Sequence, residues 1–126
     1  PQMNFLAGTL EGDGSSVMTL DCGLSRTLNL DRGTADKAPM TLGVRPETIN
    51  VSLDGTGDLT ATVKSYEQLG SVTYIYTEFS NGETLTVQQA AQIPLNRGQE
   101  IGVSFNTADF HIFAGEGEKA LKQTDA

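Results

Sequence analysis

The residues of this sequence best suited to chemistry are its sixteen carboxylates, one histidine and one cysteine. Paired carboxylates can perform acid–base catalysis, and clustered His, Cys and carboxylate side chains can bind metal ions. His111 and Cys22 are far apart in the sequence, so no spacing typical of a zinc site occurs. The carboxylates are scattered, which is typical of a solvated acidic surface rather than of a glycosidase pair. The sequence therefore predicts no catalytic residue and no metal ligand.

Motifs that bind nucleotides or activate a nucleophile are missing from the sequence as well. The chain holds no G-x-x-x-x-G-K-[ST] loop and no G-x-S-x-G elbow. The G-x-G triplets that begin at Gly12, Gly55 and Gly115 lack the third glycine and the following helix of a dinucleotide fingerprint. We therefore expect no cofactor-binding residue and no ATP hydrolysis in this chain.

Two further features have both a chemical and a structural interpretation. Asp54 and Asp58 flank glycines as in a calcium loop, but their spacing differs from D-x-[DN]-x-[DN]-G and the closing glutamate is missing. Because Asp and Gly also favour turns, we interpret residues 53–59 as a turn. His111 could serve as a proton switch or a ligand contact, or it could simply bond to backbone where the last strand docks.

Length and charge restrict the class of protein. A chain of 126 residues suits one domain, and we expect a single domain over residues 1–126. The net charge of −8 disfavours binding to nucleic acid or to an anionic membrane, which both attract positive surfaces. No apolar run approaches the roughly 20 residues of a membrane helix, and no segment resembles a signal peptide. The chain opens at Pro1 rather than Met, which suggests a fragment of a longer protein.

The segments that would position the candidate residues are predicted to be short strands. Fourteen glycines separate segments in which apolar residues alternate with polar ones, as Leu59, Ala61, Val63 and Ser65 do. Asn81-Gly82 is a strong hairpin signal. We expect a loop over residues 31–39, a short helix over 119–122, and strands over 4–10, 17–20, 27–30, 41–44, 49–53, 59–69, 72–79, 84–88, 100–105 and 111–113. Many short strands predict an all-β fold, a small barrel of the OB type with extra strands.

One predicted strand ends in the corner Arg45-Pro46-Glu47. Proline fixes its own φ and biases the preceding residue toward an extended backbone, so an opposite charge pair brackets a rigid bend. The corner is either a contact for another protein or a structural bend with exposed charges.

Five segments of the chain, in this order, match a known pattern: PQMNFL at 1–6, LGVRPE at 42–47, VKSYEQLGS at 63–71, IPLNRGQEIGV at 93–103 and FHIF at 110–113. Together they resemble the C-terminal regulatory (TOBE/OB-fold) domain of the ATP-binding subunit of sugar ABC importers of the maltose and glycerol-phosphate type. The resemblance covers essentially the whole chain. Ala114 departs from it, because the family often continues with Asp after the closing Phe.

The resemblance implies a regulatory domain whose own ATPase domain, with ATP and Mg, lies before residue 1. It implies a homodimer in the full subunit, membrane permease subunits as partners, and in some members a regulatory protein or metabolite. It also implies a cytoplasmic location, peripheral on the inner face of the cell membrane. From the acidic charge we expect no contact with nucleic acid. The regulatory or interface candidates are Arg45, Pro46, Glu47, Gly70, His111 and Phe113.

Two alternative functions stay open at this point. The first is a module that binds a small anion or metabolite, as molybdate-type modules do, through Lys64, Ser65 and Ser71. The second is an OB-type nucleic-acid binder whose stacking rings would be Tyr66, Tyr74, Tyr76 and Phe79. The acidic charge disfavours both.

Overall fold

The computed structural model describes residues 2–114 and 119–124, and the Gly115 triplet lies outside them. Within these residues the fold is all-β, as predicted: there is no α-helix, and the two 3₁₀ turns, Pro46–Thr48 and Thr107–Asp109, are too short to cross a bilayer. The strands are β1 (Asn4–Gly12), β2 (Ser15–Leu20), β3 (Ser25–Asn29), β4 (Thr34–Val44), β5 (Asn50–Ser52), β6 (Leu59–Leu69), β7 (Val72–Glu78), β8 (Thr84–Gln89), β9 (Glu100–Ser104), β10 (His111–Ala114) and β11 (Lys119–Leu121).

The strands fall into two compact units. The six-stranded unit spans Phe5–Gly43 and Phe110–Ala126, with strand order β11-β10-β4-β1-β2-β3. Leu30, just after β3, bridges Gln123, just after β11, and the Asp31 amide donates a 2.8 Å hydrogen bond to the Lys122 carbonyl. The first and last strands of this sheet are thereby joined, which closes the sheet on itself.

The core of the six-stranded unit follows from strict alternation. In β1 and β2 every second residue is buried, because successive side chains of a strand point to opposite faces. The apolar residues on the inner face are leucine and methionine for the most part: Leu6, Leu10, Met18, Leu20, Leu28, Met40, Leu42 and Ile112.

The five-stranded unit spans Pro1–Asn4 and Val44–Asp109, with strand order β5-β9-β6-β7-β8. Its buried residues include Val63, Ile75, Leu85, Val87 and Ile101. The β7–β8 hairpin turns at the predicted Asn-Gly pair, where Gly82 adopts a φ of +91° that favours glycine. This hairpin prediction is confirmed.

The register of β6 against β7 shifts at one point. Val63 pairs with Thr77 and Ser65 pairs with Tyr76, so Lys64 is an extra residue in the ladder and forms a β-bulge. The predicted alternation of Ala61, Val63 and Ser65 therefore stops at Val63. After the bulge, the positions that simple alternation would direct toward the core lie on the outer face of the sheet.

Two local predictions were wrong. Residues 31–39, expected as a loop, contain the first half of β4, and residues 119–122, expected as a helix, contain β11. β11 pairs with β10 through Ile112–Leu121 and Phe113–Ala120, and this ladder outweighs a weak local helix preference. The expectation of a single domain over residues 1–126 stays a prediction.

The segment after β5 is a turn, as predicted, and is built around Asp54. Oδ1 of Asp54 accepts hydrogen bonds from the Ser52 hydroxyl, from the Thr56 hydroxyl at 2.7 Å and from the Thr56 amide at 3.0 Å. These bonds to the Ser52 hydroxyl, the Thr56 hydroxyl and the Thr56 amide, in that order of size, lower the pKa of Asp54 from 3.8 to about 2. Among the described residues no group of three or more His, Cys, Asp and Glu is placed to hold a metal.

The same turn lies tightly against β9. A Cβ added at Gly102 would fall on the carbonyl oxygen of Thr56, closer than real side chains approach backbone. Only glycine therefore fits at position 102 without moving the turn.

Gly102→Ala should lower the free energy of unfolding by about 3 kcal/mol, because the added methyl must displace backbone. The control is Gly70→Ala, where φ is +65° but nothing lies within 4 Å, so the cost should be about 1 kcal/mol of backbone strain. Urea denaturation followed by circular dichroism measures both. Equal losses in the two variants would contradict the close approach.

Asp54→Asn should flatten the acid limb of the stability curve. Because folding lowers this pKa, the unfolded chain binds more protons, so the carboxylate's contribution is present above pH 4 and is lost as the pH falls toward 2. Thermal unfolding from pH 5 to pH 2 should show a smaller decline in the variant than in the parent. Asp13→Asn, which removes an exposed carboxylate from another turn and leaves the hydrogen bonds of Asp54 in place, is the matched control. A parent slope that persists in Asp54→Asn contradicts the assignment.

Candidate functional site

The corner between β4 and β5 is a rigid bend. Arg45 is extended (φ −79°, ψ 141°), as a residue before proline should be, and Pro46 opens the 3₁₀ turn. The Arg45 carbonyl accepts hydrogen bonds from the Thr48 amide at 3.1 Å and the Thr48 hydroxyl at 2.8 Å. Pro46 is buried, whereas the Arg45 and Glu47 side chains are exposed. The corner thus presents one cation and one carboxylate to solvent from a fixed backbone.

The other predicted candidates lie on different elements. Gly70 is exposed in the β6–β7 turn, where its carbonyl accepts a 2.8 Å hydrogen bond from Nε2 of Gln92. His111 is exposed in β10, opposite Gly43 of β4. Phe113 is half-buried, with its ring centroid 6.3 Å from that of Phe5 and the rings tilted by 59°. Arg45, Pro46, Glu47 and Gly70 belong to the five-stranded unit, and His111 and Phe113 to the six-stranded unit.

The residues proposed for an anion do not converge. Lys64 lies at the bulge and lines a polar cleft of about 210 Å³ together with Glu78 and Glu100. Ser71 lies in the β6–β7 turn, six residues after Ser65, which corresponds to at most roughly 20 Å of extended chain. The one cation of the cleft is therefore accompanied by two carboxylates, which weakens any attraction for an anion.

A second concavity, here called the aromatic groove, lies on the outer face of the five-stranded sheet. It measures about 350 Å³ and is lined by Gln2, Glu67, Leu69, Tyr74, Tyr76 and Thr86. The Tyr76 hydroxyl donates a 2.8 Å hydrogen bond to Oε1 of Glu67. This bond to the carboxylate favours the protonated phenol, so it raises the pKa of Tyr76.

The N-terminal segment forms one side of the aromatic groove. Nδ2 of Asn4 donates to the Thr86 carbonyl and the Thr86 amide donates to Oδ1 of Asn4, each at 2.8 Å. The side-chain carboxamide of Asn4 thus binds the backbone of β8 as a neighbouring strand would. This contact holds the segment, and with it Gln2, beside Thr86.

Sequence reasoning identified only part of this groove. It named Tyr74 and Tyr76 as rings for nucleic acid, and their i, i+2 spacing in a strand was the available signal that they share a face. Phe79, from the same set, is buried. Gln2 and Thr86 were missed because they are 84 residues apart in sequence and meet only in the fold.

Family comparisons match nearly the whole chain. A model described as "TOBE domain" matches residues 42–113, and one described as "MalK OB fold domain" matches residues 1–49. The chain is 27% identical over 124 residues to the "Putative uncharacterized ABC transporter ATP-binding protein YcjV" of Escherichia coli K12, covering 97% of this chain and 34% of that protein. It is 31% identical over 130 residues to the "Xylose/arabinose import ATP-binding protein XacK" of Haloferax volcanii, covering 99% and 33%.

The chain spans about a third of the length of the curated relatives it matches. Among solved structures it resembles the cytoplasmic molybdate-binding protein ModG, crystallised with molybdate bound, with a TM-score of 0.68 and 16% identity. That match covers 89% of this chain and 96% of ModG, and it supports the OB/TOBE-type fold alone. The predicted fold class and family resemblance are confirmed. Because the TOBE model covers more than half of its residues, the chain belongs to the TOBE domain family.

Proposed function

We propose that this chain is the regulatory domain of the ATP-binding subunit of an ABC importer, and that it holds two such subunits together. The observation that supports the proposal is the match of two family models over residues 1–49 and 42–113, combined with relatives named as ATP-binding proteins. The chain itself breaks no bond. ATP and Mg bind in the ATPase domain that precedes it, and the solute is a sugar or a related compound.

A holding role is physically reasonable for a domain without catalytic groups. A second contact surface on each ATPase domain raises the effective concentration of its partner, so the two halves can separate after hydrolysis without dissociating. The role requires stiff strands and a self-complementary surface. The closed six-stranded sheet and the rigid corner at Pro46 supply stiffness.

The partners of such a subunit follow from the same proposal. The chain contacts its own ATPase domain and a second copy of the subunit, and the subunit binds the membrane permease on the cytoplasmic face. A regulatory protein or metabolite is a further partner, and nucleic acid is not, because the net charge is −8. The anion-binding alternative is weaker, since Lys64 shares its cleft with Glu78 and Glu100.

Deleting residues 1–126 from the full subunit should weaken its nucleotide-free dimer at least about 100-fold, because the second contact is lost. Analytical ultracentrifugation measures the dimer affinity. The 126-residue chain alone should not bind a fluorescent ATP analogue. An unchanged dimer affinity, or tight ATP binding by the isolated chain, would contradict the proposal.

Arg45→Ala and Glu47→Ala should each change the free energy of unfolding by less than about 0.5 kcal/mol, because both side chains are exposed. In the full subunit the same variants should alter dimer affinity or ATPase rate, since we propose a contact there. Pro46→Ala is the control and should lower the free energy of unfolding by about 1 kcal/mol or more, because Pro46 is buried and its ring restricts the conformational freedom of the unfolded chain. If Arg45→Ala destabilises as much as Pro46→Ala and leaves dimer affinity and ATPase rate unchanged, the corner is purely structural.

A further inference from the structure

We propose that the aromatic groove of the five-stranded unit binds a small organic ammonium compound, with the ammonium group between Glu67 and the tyrosine rings and an alkyl chain along Leu69. This site goes beyond the proposed function, which requires no ligand in this chain. The groove volume of about 350 Å³ lies at the lower end of the range for small-molecule sites.

The floor of the groove suits a cation. Tyr74 and Tyr76 are half-buried on the same face of β7, so part of each side chain is accessible from the groove. The face of a phenol ring carries negative electrostatic potential and attracts ammonium groups. Two such rings at i, i+2 form a platform for a single charged group.

The ionisable groups of the groove disfavour the binding of an anion, because they are one carboxylate and two phenols. Glu67 lies directly opposite Tyr74 in the β6–β7 ladder, and no Lys or Arg is among the six lining residues. One oxygen of Glu67 accepts a hydrogen bond from the Tyr76 hydroxyl, which holds the carboxylate at the hydroxyl end of that side chain. The other oxygen has lone pairs for a charge-assisted hydrogen bond from an ammonium donor. The net charge of −8 adds a long-range attraction for cations.

The groove is held in shape before any ligand arrives. The paired hydrogen bonds between Asn4 and Thr86 fix one side. At the end of the β6–β7 hairpin, Leu69 is 57% exposed, yet the adjacent turn is held by the bond from Gln92 to the Gly70 carbonyl. A preformed groove with an exposed leucine at one end lowers the ordering cost of binding an alkyl chain.

The test titrates the 126-residue chain with 1,4-diaminobutane and with n-butylamine at 150 mM salt, by calorimetry and by amide chemical shifts. We expect saturable binding with a dissociation constant on the order of 1 mM or tighter, and shifts centred on β6, β7 and β8. Glu67→Gln should weaken binding at least tenfold, and Tyr74→Leu at least fivefold. Glu78→Gln, which removes the same charge from β7 outside the aromatic groove, is the matched control and should stay within twofold.

Tyr76→Phe is a second variant that keeps the ring and frees the Glu67 carboxylate, so it should bind as tightly as the parent or more tightly. Glu67→Gln, at an exposed position, keeps the test valid if Tyr74→Leu fails to fold. Butane-1,4-diol is the neutral probe of matched length. The proposal is overturned if the diol binds as well as the diamine, if Glu78→Gln weakens binding as much as Glu67→Gln, or if no titration saturates. None of these outcomes bears on subunit dimerisation, which is measured separately.

Discussion

The β-bulge at Lys64 determines what the outer face of the five-stranded sheet can do. Ala61 and Val63 point into the core, and strict alternation would direct Ser65 and Glu67 inward after them. The extra residue exchanges the faces, so Glu67 comes to lie opposite Tyr74 and within hydrogen-bond distance of the Tyr76 hydroxyl. A carboxylate that the simple pattern would bury is thereby placed at the surface, beside two aromatic rings.

The fold class followed from features that are local in sequence. The period-2 pattern of β1, β2 and β7 and the Asn81-Gly82 turn depend on neighbouring residues only, so the sequence was enough to predict an all-β chain with this hairpin. The failures lie where distant pairing decides. Residues 119–121 are a strand because β10 offers a ladder to Ala120 and Leu121, and nothing within that segment indicates it.

The aromatic groove could be predicted only in part, for the same physical reason. The i, i+2 spacing of Tyr74 and Tyr76 predicts that the two rings share a face of the strand. The β-bulge at Lys64, in contrast, cannot be recognised reliably from one sequence. Gln2 lies beside Thr86 because the side chain of Asn4, 82 residues before Thr86, binds the backbone amide and carbonyl of Thr86. The corner at Pro46 was predictable because proline restricts the backbone whatever lies around it.

The way the strands end limits how this domain can meet a partner. An open sheet edge invites another chain to add a strand, which would give association little side-chain specificity. Here the six-stranded sheet is closed by the Leu30–Gln123 bridge. In the five-stranded sheet the Asn4 side chain bonds to the backbone of Thr86 on the edge strand β8. Next to the other edge strand, β5, the Gln89 side chain donates a 3.1 Å hydrogen bond to the Ile49 carbonyl. Where these backbone groups are occupied, a partner cannot pair a strand with them, so contacts there depend on side chains presented by rigid backbone. The dimer-holding role that we propose would therefore rest on side-chain contacts rather than on open-ended strand addition.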